Sequence, residues 1–170
     1  LPMSKEFIKI IALIIEHELD LKKDQVILAN QKFDIPSDDR LYISIELMGS
    51  RPFGVKTAYE ADPITGELLE AQSVNCQEMY SILAYSKGAT ARQRNWEIAP
   101  ALGSTFAQQQ QEEHSFKIGY LPRMTDVSGL DGAARLNRYR LTFAALVAYR
   151  KSKPVEYFDQ FAQPTIISNP

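Results

Sequence analysis

Apolar residues fall at every second position through residues 136–149 (LNRYRLTFAALVAY), where Tyr139, Leu141, Phe143, Ala145, Val147 and Tyr149 alternate with Arg138, Arg140 and Thr142. A period of two belongs to a half-buried β-strand, and this one runs well past the ~5–6 residues of an average strand. It predicts a central strand, long enough to support a sheet and still project beyond it. In its second half the even positions Ala144, Leu146 and Ala148 are apolar as well. That predicts cover on both faces, a helix on one side and another element or subunit on the other.

The start of the chain has a different period. Phe7, Ile8, Ile11, Ile14, Ile15 and Leu19 recur at helical spacing, which predicts an amphipathic helix running from a Ser4 cap to about Leu21. Ile10 and Leu13 widen its stripe, so either the helix is deeply buried or a neighbour covers its second side. His17 lies at the polar end and reads as a solvated residue.

Next come a short strand over 25–31, a turn around Pro36 and a strand over 41–48. In the latter, Leu41, Ile43, Ile45 and Leu47 alternate with Tyr42, Ser44 and Glu46. Residues 49–54 interrupt it with Pro52, and 55–61 lead to the turn Asp62-Pro63-Ile64-Thr65-Gly66. The return strand starts near Glu67 and continues through 73–85, with Val74, Cys76, Tyr80, Ile82 and Ala84 on one face. The hairpin over 48–72 is poor in large apolar residues and is expected to protrude. It is either a solvated arm or one that pairs with a neighbouring subunit or partner.

A helix over 89–99, ending before Pro100 and packing Trp96 on the sheet, is expected next. Ser104 caps a second helical piece through Gln108, Gln109, Gln110 and Gln111 to Glu113. A strand over 114–121 alternating Phe116, Ile118 and Tyr120, a loop over 122–132 and a short edge element over 154–161 complete the reading. The fold class is α+β: a mixed, mainly antiparallel sheet with long strands and a protruding β-hairpin, packed by the N-terminal helix and the central broken helix. Residues 1–170 form a single domain, with the hairpin arm at about 48–72 and a C-terminal tail at about 162–170.

Composition narrows this little. The 170 residues suit one domain, and a net charge of −2 with 24% charged residues gives no whole-chain footprint for nucleic acid or an anionic membrane. Cys76 is the single cysteine, so no intrachain disulfide is possible; with two histidines there is no zinc pattern either. A reducing compartment fits, with Cys76 as buried filler. The apolar run 7–15 is broken by Lys9 and falls far short of the ~20 residues that span a bilayer. Glu16, Glu18 and Asp20 stand where a leader needs small residues, so the protein reads as cytoplasmic. Leu1 and Pro2 ahead of Met3 leave the native start open.

The common catalytic motifs are absent: no phosphate-cradling loop, dinucleotide fingerprint, serine elbow or zinc-binding H-E-x-x-H. Residues 126–132 are oxygen-rich but lack the alternating ligands and closing glutamate of a calcium loop. No metal and no cofactor are expected, and Asp126 is read as holding its loop by accepting backbone N–H groups. The Arg92/Arg94 pair and the group Arg135, Arg138, Arg140, Arg150, Lys151 and Lys153 suit phosphate binding, intersubunit salt bridges or simple solvation. No aromatic residues interleave with them as in a single-strand-binding surface.

In the order and spacing of its segments the chain resembles the phage neck terminator, or tail-completion, family. The resemblance runs over nearly the whole chain. It rests on the apolar N-terminal helix, Asn30-Gln31, the Y-I-S-I-E-L strand (42–47), the long hairpin and a K-G-A helix start (87–89). It continues through D-V-S-G-L (126–130), R-x-x-R-Y-R-L-T-F (135–143), the closing Ala148-Tyr149 and Y-F-D (157–159).

The resemblance implies a structural virion protein, not an enzyme, forming a ring, commonly hexameric, at the head-to-tail junction. Such a ring is expected to join the head-completion (adaptor) protein to the tail tube and in some cases the sheath, with DNA passing through its channel without sequence recognition. A terminator or minor tail protein on the tail side only is the alternative. On this reading Arg51, Phe53, Val55, Tyr59, Ile64 and Leu68 of the hairpin, Asp126 and Leu130 of the loop, and Arg138 and Arg140 make subunit or ring contacts. Glu60, Asp62, Glu67 and Glu70 face the channel, where acidic residues let DNA slide. The protein is assembled in the host cytoplasm and resides in the virion. A small-molecule enzyme and a DNA-binding module are the rival classes.

Overall fold

The computed structural model describes residues 6–29, 36–121, 123–131 and 134–155, with the backbone alone at 130, 131, 134 and 135. The elements, in chain order, are helix α1 (Phe7–Glu18), strands β1 (Val26–Leu28), β2 (Tyr42–Ala61) and β3 (Leu68–Ser86), helices α2 (Thr90–Arg94), α3 (Ile98–Leu102) and α4 (Thr105–His114), and strands β4 (Phe116–Ile118), β5 (Thr125–Asp126), β6 (Gly129–Asp131) and β7 (Ala134–Pro154). The class is α+β with a mainly antiparallel mixed sheet and long strands.

The sheet runs β1-β2-β3-β7-β4, with β5 and β6 also pairing to β7. Among the described residues only β1 and β2 are parallel, and every other pair is antiparallel. At 21 residues β7 is the longest strand. It is interior but not the middle of the sheet. That position belongs to β3, which pairs with β2 from Tyr85 to Leu68 and with β7 from Ser86 to Leu69.

Strand parity sets the core. Tyr80, Ile82 and Ala84 of β3 and Leu141, Phe143, Ala145 and Val147 of β7 point to one face with Ile43 and Ile45 of β2, all between 0 and 3% exposed. The stripe Phe7, Ile11, Ile14 and Ile15 of α1 closes over this face with Ile98 and Leu102 of α3 and Ala107 of α4. Burying such side chains is worth about 1.5–3 kcal/mol each. On the reverse face a small cluster of Ile27, Tyr42 and Tyr85 is buried beside β1.

Several expectations change. Helix α1 is not deeply buried: Leu13 is 45% exposed and Ile10 only partly covered, because one sheet face occupies a single side of a helix. The Ser4 cap lies outside the described residues. Pro52 and Gly54 do not break the 41–61 segment; β2 is continuous, with register shifts between Leu47 and Gly49 and between Pro52 and Gly54. Bulges absorb the extra residues, and proline is tolerated because β2 has no outer partner beyond Ile45 among the described residues.

Pro100 does not end a helix. It sits in the first turn of α3, where its missing N–H has no intrahelical role. A 3-10 turn, Asn95–Glu97, separates α3 from α2 and turns Trp96 outward, 65% exposed, instead of onto the sheet. Ser104 does cap α4, its hydroxyl accepting from the Ala107 N–H at 3.0 Å. His114 still belongs to α4, which ends at left-handed Ser115, so β4 spans Phe116–Ile118 only and Tyr120 is 88% exposed. Pro154 closes β7; the rest of the expected edge element, from residue 156, lies outside the described residues.

Candidate assembly surface

Beyond the helix layer the sheet continues as an arm. The expected hairpin has a third strand, because β7 runs on past Val147 and pairs Arg150 with Ser73, Lys153 with Glu70 and Pro154 with Leu69. The arm is a ribbon with β3 at its centre and β2 and β7 at its edges. The edge of β7 is lined by Arg150, Lys151, Lys153 and Pro154, residues that discourage uncontrolled strand addition.

The arm's turn is built as its residues dictate. The Asp62 carboxylate accepts the Ile64 N–H at 2.7 Å and the Thr65 N–H at 3.0 Å, and these two bonds hold its pKa below the usual carboxylate value. Gly66 supplies the positive φ of 72° that the turn needs. Ile64 at the tip is 92% exposed.

Of the contact residues expected from the sequence, Arg51, Phe53, Val55, Tyr59, Ile64 and Leu68 are all exposed on this arm. They do not share one face. Tyr59 is opposite Glu70, and Val55 opposite Val74, on the side continuous with the core. Phe53 borders the reverse face, where it forms a shallow groove of about 300 Å³ with Asn75, Lys117, Leu146 and Ala148. Leu146 is 46% exposed, so among the described residues the even positions of β7 have no cover at this end.

Asp126 and Arg138 lie on the body. The Asp126 carboxylate accepts the Ser128 N–H at 2.9 Å, as expected of a loop-holding aspartate. Ser128 Oγ accepts the Arg138 N–H at 2.9 Å, tying the loop to β7. The expected loop contains the short strands β5 and β6. Arg138 is partly buried, its Nε without a hydrogen-bond partner among the described residues, and Arg140 is exposed. The Leu130 side chain and Arg135 lie outside what is described.

The four acidic candidates divide. Glu60 is bound by Arg150 at 2.5 Å and Glu70 lies 3.6 Å from Lys153, the two pairs on opposite faces of the arm. Asp62 serves the turn, and Glu67 is exposed at its end. They therefore do not form one acidic stripe within a subunit. The cations are dispersed too: Arg138, Arg140 and Arg150 share one face of β7, and Lys151 and Lys153 the other. Arg94 is used internally, donating to Glu97 at 2.8 Å and to the Leu19 carbonyl at 2.9 Å.

One chemically notable group escaped the sequence reading. Glu78 is 2% exposed, on the core face at the base of the arm, and accepts hydrogen bonds from the hydroxyls of Tyr80 and Tyr149. Burial first, and then the neighbouring carboxylate, push both phenols above their ordinary pKa. Parity was the available signal, since Glu78 falls between Cys76 and Tyr80 in the same alternation. The phenols enclose the carboxylate, so the cluster reads as a structural lock between β3 and β7.

Among the described residues no group of histidine, cysteine, aspartate and glutamate is placed to hold a metal ion, and no helix is long and apolar enough to cross a membrane. Compared with models of known families and with curated proteins, the chain matches none.

Proposed function

We propose that this chain is a structural virion protein that forms a ring at the head-to-tail junction of a tailed phage, joining the head-side adaptor to the tail tube and completing the tail. The role carries no catalytic step. The observation that supports it most is the three-stranded arm. It continues the sheet beyond its helix cover and carries Val55, Tyr59, Ile64 and Leu68 outward, which an isolated monomer gains nothing by exposing.

Membership of the neck terminator or tail-completion family is part of the proposal and is supported by the order of segments given above. Ring closure needs a patch on one subunit to meet a different patch on the next, and the arm and the open reverse face of the body supply two such patches. Asp62 and Glu67, at the tip and outside the two ion pairs, are the channel-facing candidates we retain. Dispersal of the cations over both faces of β7 weighs against a dedicated DNA-binding module.

Light scattering over a concentration series, with negative-stain imaging of the same sample, tests the reading. Closed rings of roughly six copies are expected for a cyclic heterologous assembly. A chain that stays monomeric over the whole series refutes it.

A further inference from the structure

The arm has no core of its own. Of its described residues, 54–75 and 148–155, only Ala71 is buried. On the face continuous with the core, Val55 and Tyr59 stand among Thr57, Glu70, Gln72, Lys151 and Lys153, and the reverse face carries Lys56, Glu60, Ser73 and Arg150. A ribbon of this kind needs an apolar face or a covering helix to be stable by itself. Helix cover reaches the arm only at its base, where the Phe7 ring of α1 meets that of Tyr149 at 5.7 Å. The order of the arm therefore comes from the body, through the strands that run into it.

Those strands are unequal. At the boundary β2 changes register twice, between Leu47 and Gly49 and between Pro52 and Gly54, and each bulge interrupts its ladder. By contrast, β3 and β7 keep one register from Leu69 and Pro154 to Ser86 and Asn137. Glu78 lies on this continuous pair at the level of the bulges, opposite Ser50 on β2 and Ala145 on β7. Its carboxylate, 2% exposed, accepts from the hydroxyl of Tyr80 on the body side and from that of Tyr149, which pairs with Val74 at the start of the arm. Tyr80 is held in the core by its stack on Phe143, and Tyr149 by Phe7. One buried carboxylate thus joins groups on either side of the boundary.

We infer that the Glu78–Tyr149 bond is a coupling device, making the arm open and close with the body instead of by itself. Tyr149 is the positioning residue and Glu78 the fixed point it is tied to. Without that bond the backbone ladder remains, but the arm becomes a separate opening unit of lower stability than the body. The coupling does not depend on the ring reading above. It does bear on any partner the arm meets, because a segment held in place beforehand loses less freedom on binding.

Hydrogen exchange of the backbone amides, read by mass spectrometry on the full chain at a concentration where it is monomeric, tests the coupling. Tyr149→Phe removes one hydroxyl and keeps the ring against Phe7. Exchange is expected to quicken by about 10- to 100-fold over residues 69–75 and 148–154, the factor for one hydrogen bond to a charged group. Over residues 80–86 and 137–143 the change should stay below about threefold. Cys76→Ala, a buried truncation beside Glu78 on the same face of β3 that leaves both of its bonds in place, should not single out the arm. Acceleration spread evenly over arm and body in Tyr149→Phe, or an arm loosened just as selectively by Cys76→Ala, makes Tyr149 ordinary packing and overturns the inference. An arm whose exchange Tyr149→Phe leaves unchanged, or one already exchanging at unprotected rates in the wild type, overturns it as well.

Discussion

Replacing Phe143 with alanine tests the face assignment on which the whole architecture rests. Phe143 is 1% exposed and stacks on Tyr80 with ring centroids 5.7 Å apart, in the core that α1, α3 and α4 cover. Truncating a ring in such a site costs about 3–5 kcal/mol, the lost transfer energy plus the residual cavity. For a chain of this size each kcal/mol moves Tm by roughly 2–4 °C, so a fall of about 6–20 °C is expected. Three positions along the same strand, Leu146 is 46% exposed on the opposite face, and Leu146→Ala should cost less than about 1 kcal/mol in the monomer. The pair is measured by urea and thermal unfolding followed by circular dichroism, at a concentration where each chain is monomeric. Phe143→Ala within about 0.5 kcal/mol of the wild type, or Leu146→Ala as costly as Phe143→Ala, would refute the parity argument.

Three tyrosines, two buried and one partly buried, predict alkaline behaviour. Burial pushes the Tyr85 phenol up to about 12, with Tyr42 adding to the shift, and Tyr80 and Tyr149 are also raised. The unfolded chain releases these protons first, so the associated stability is intact below ~10 and is lost as pH climbs beyond it. Phenolate absorbance should show these tyrosines titrating only with unfolding; all eight tyrosines titrating together near 10 in folded protein would contradict it. Glu78→Ala removes the acceptor shared by Tyr80 and Tyr149 and should destabilise by about 1–3 kcal/mol for the buried Tyr80 hydroxyl; Tyr149→Phe, which leaves Glu78 its bond to Tyr80, should cost less in the same unfolding assay. Ser104→Ala removes the cap of α4 and should cost about 0.5–2 kcal/mol, with wild-type stability as the contrary result.

Much of the fold was legible because parity and period are local. The alternation in residues 136–149 correctly marked Phe143 and Val147 as core, and the strand does project beyond the sheet body. The Asp62–Gly66 turn and the Ser104 cap were readable because each rests on residues a few positions apart. What failed depended on distant partners. Pro52 reads as a break, yet an edge strand with bulges holds it, and edge status is a property of the sheet. Trp96 looks like core until a 3-10 turn rotates it outward. The third strand of the arm was hidden because Arg150, Lys151 and Lys153 carry polar side chains that say nothing of β7 continuing beside β3.

The sequence by itself determined the class of the fold, the identity of most core side chains and the existence of a projecting segment, since these follow from periodicity and turn chemistry along the chain. Only the tertiary structure decided that the projection is three-stranded, that Glu60 and Glu70 are taken up by cations of β7, that Glu78 is enclosed by two phenols, and which faces of the sheet are left open. Those facts depend on register between segments far apart in sequence, and a shift of one residue in that register exchanges the two faces of the strand that slips.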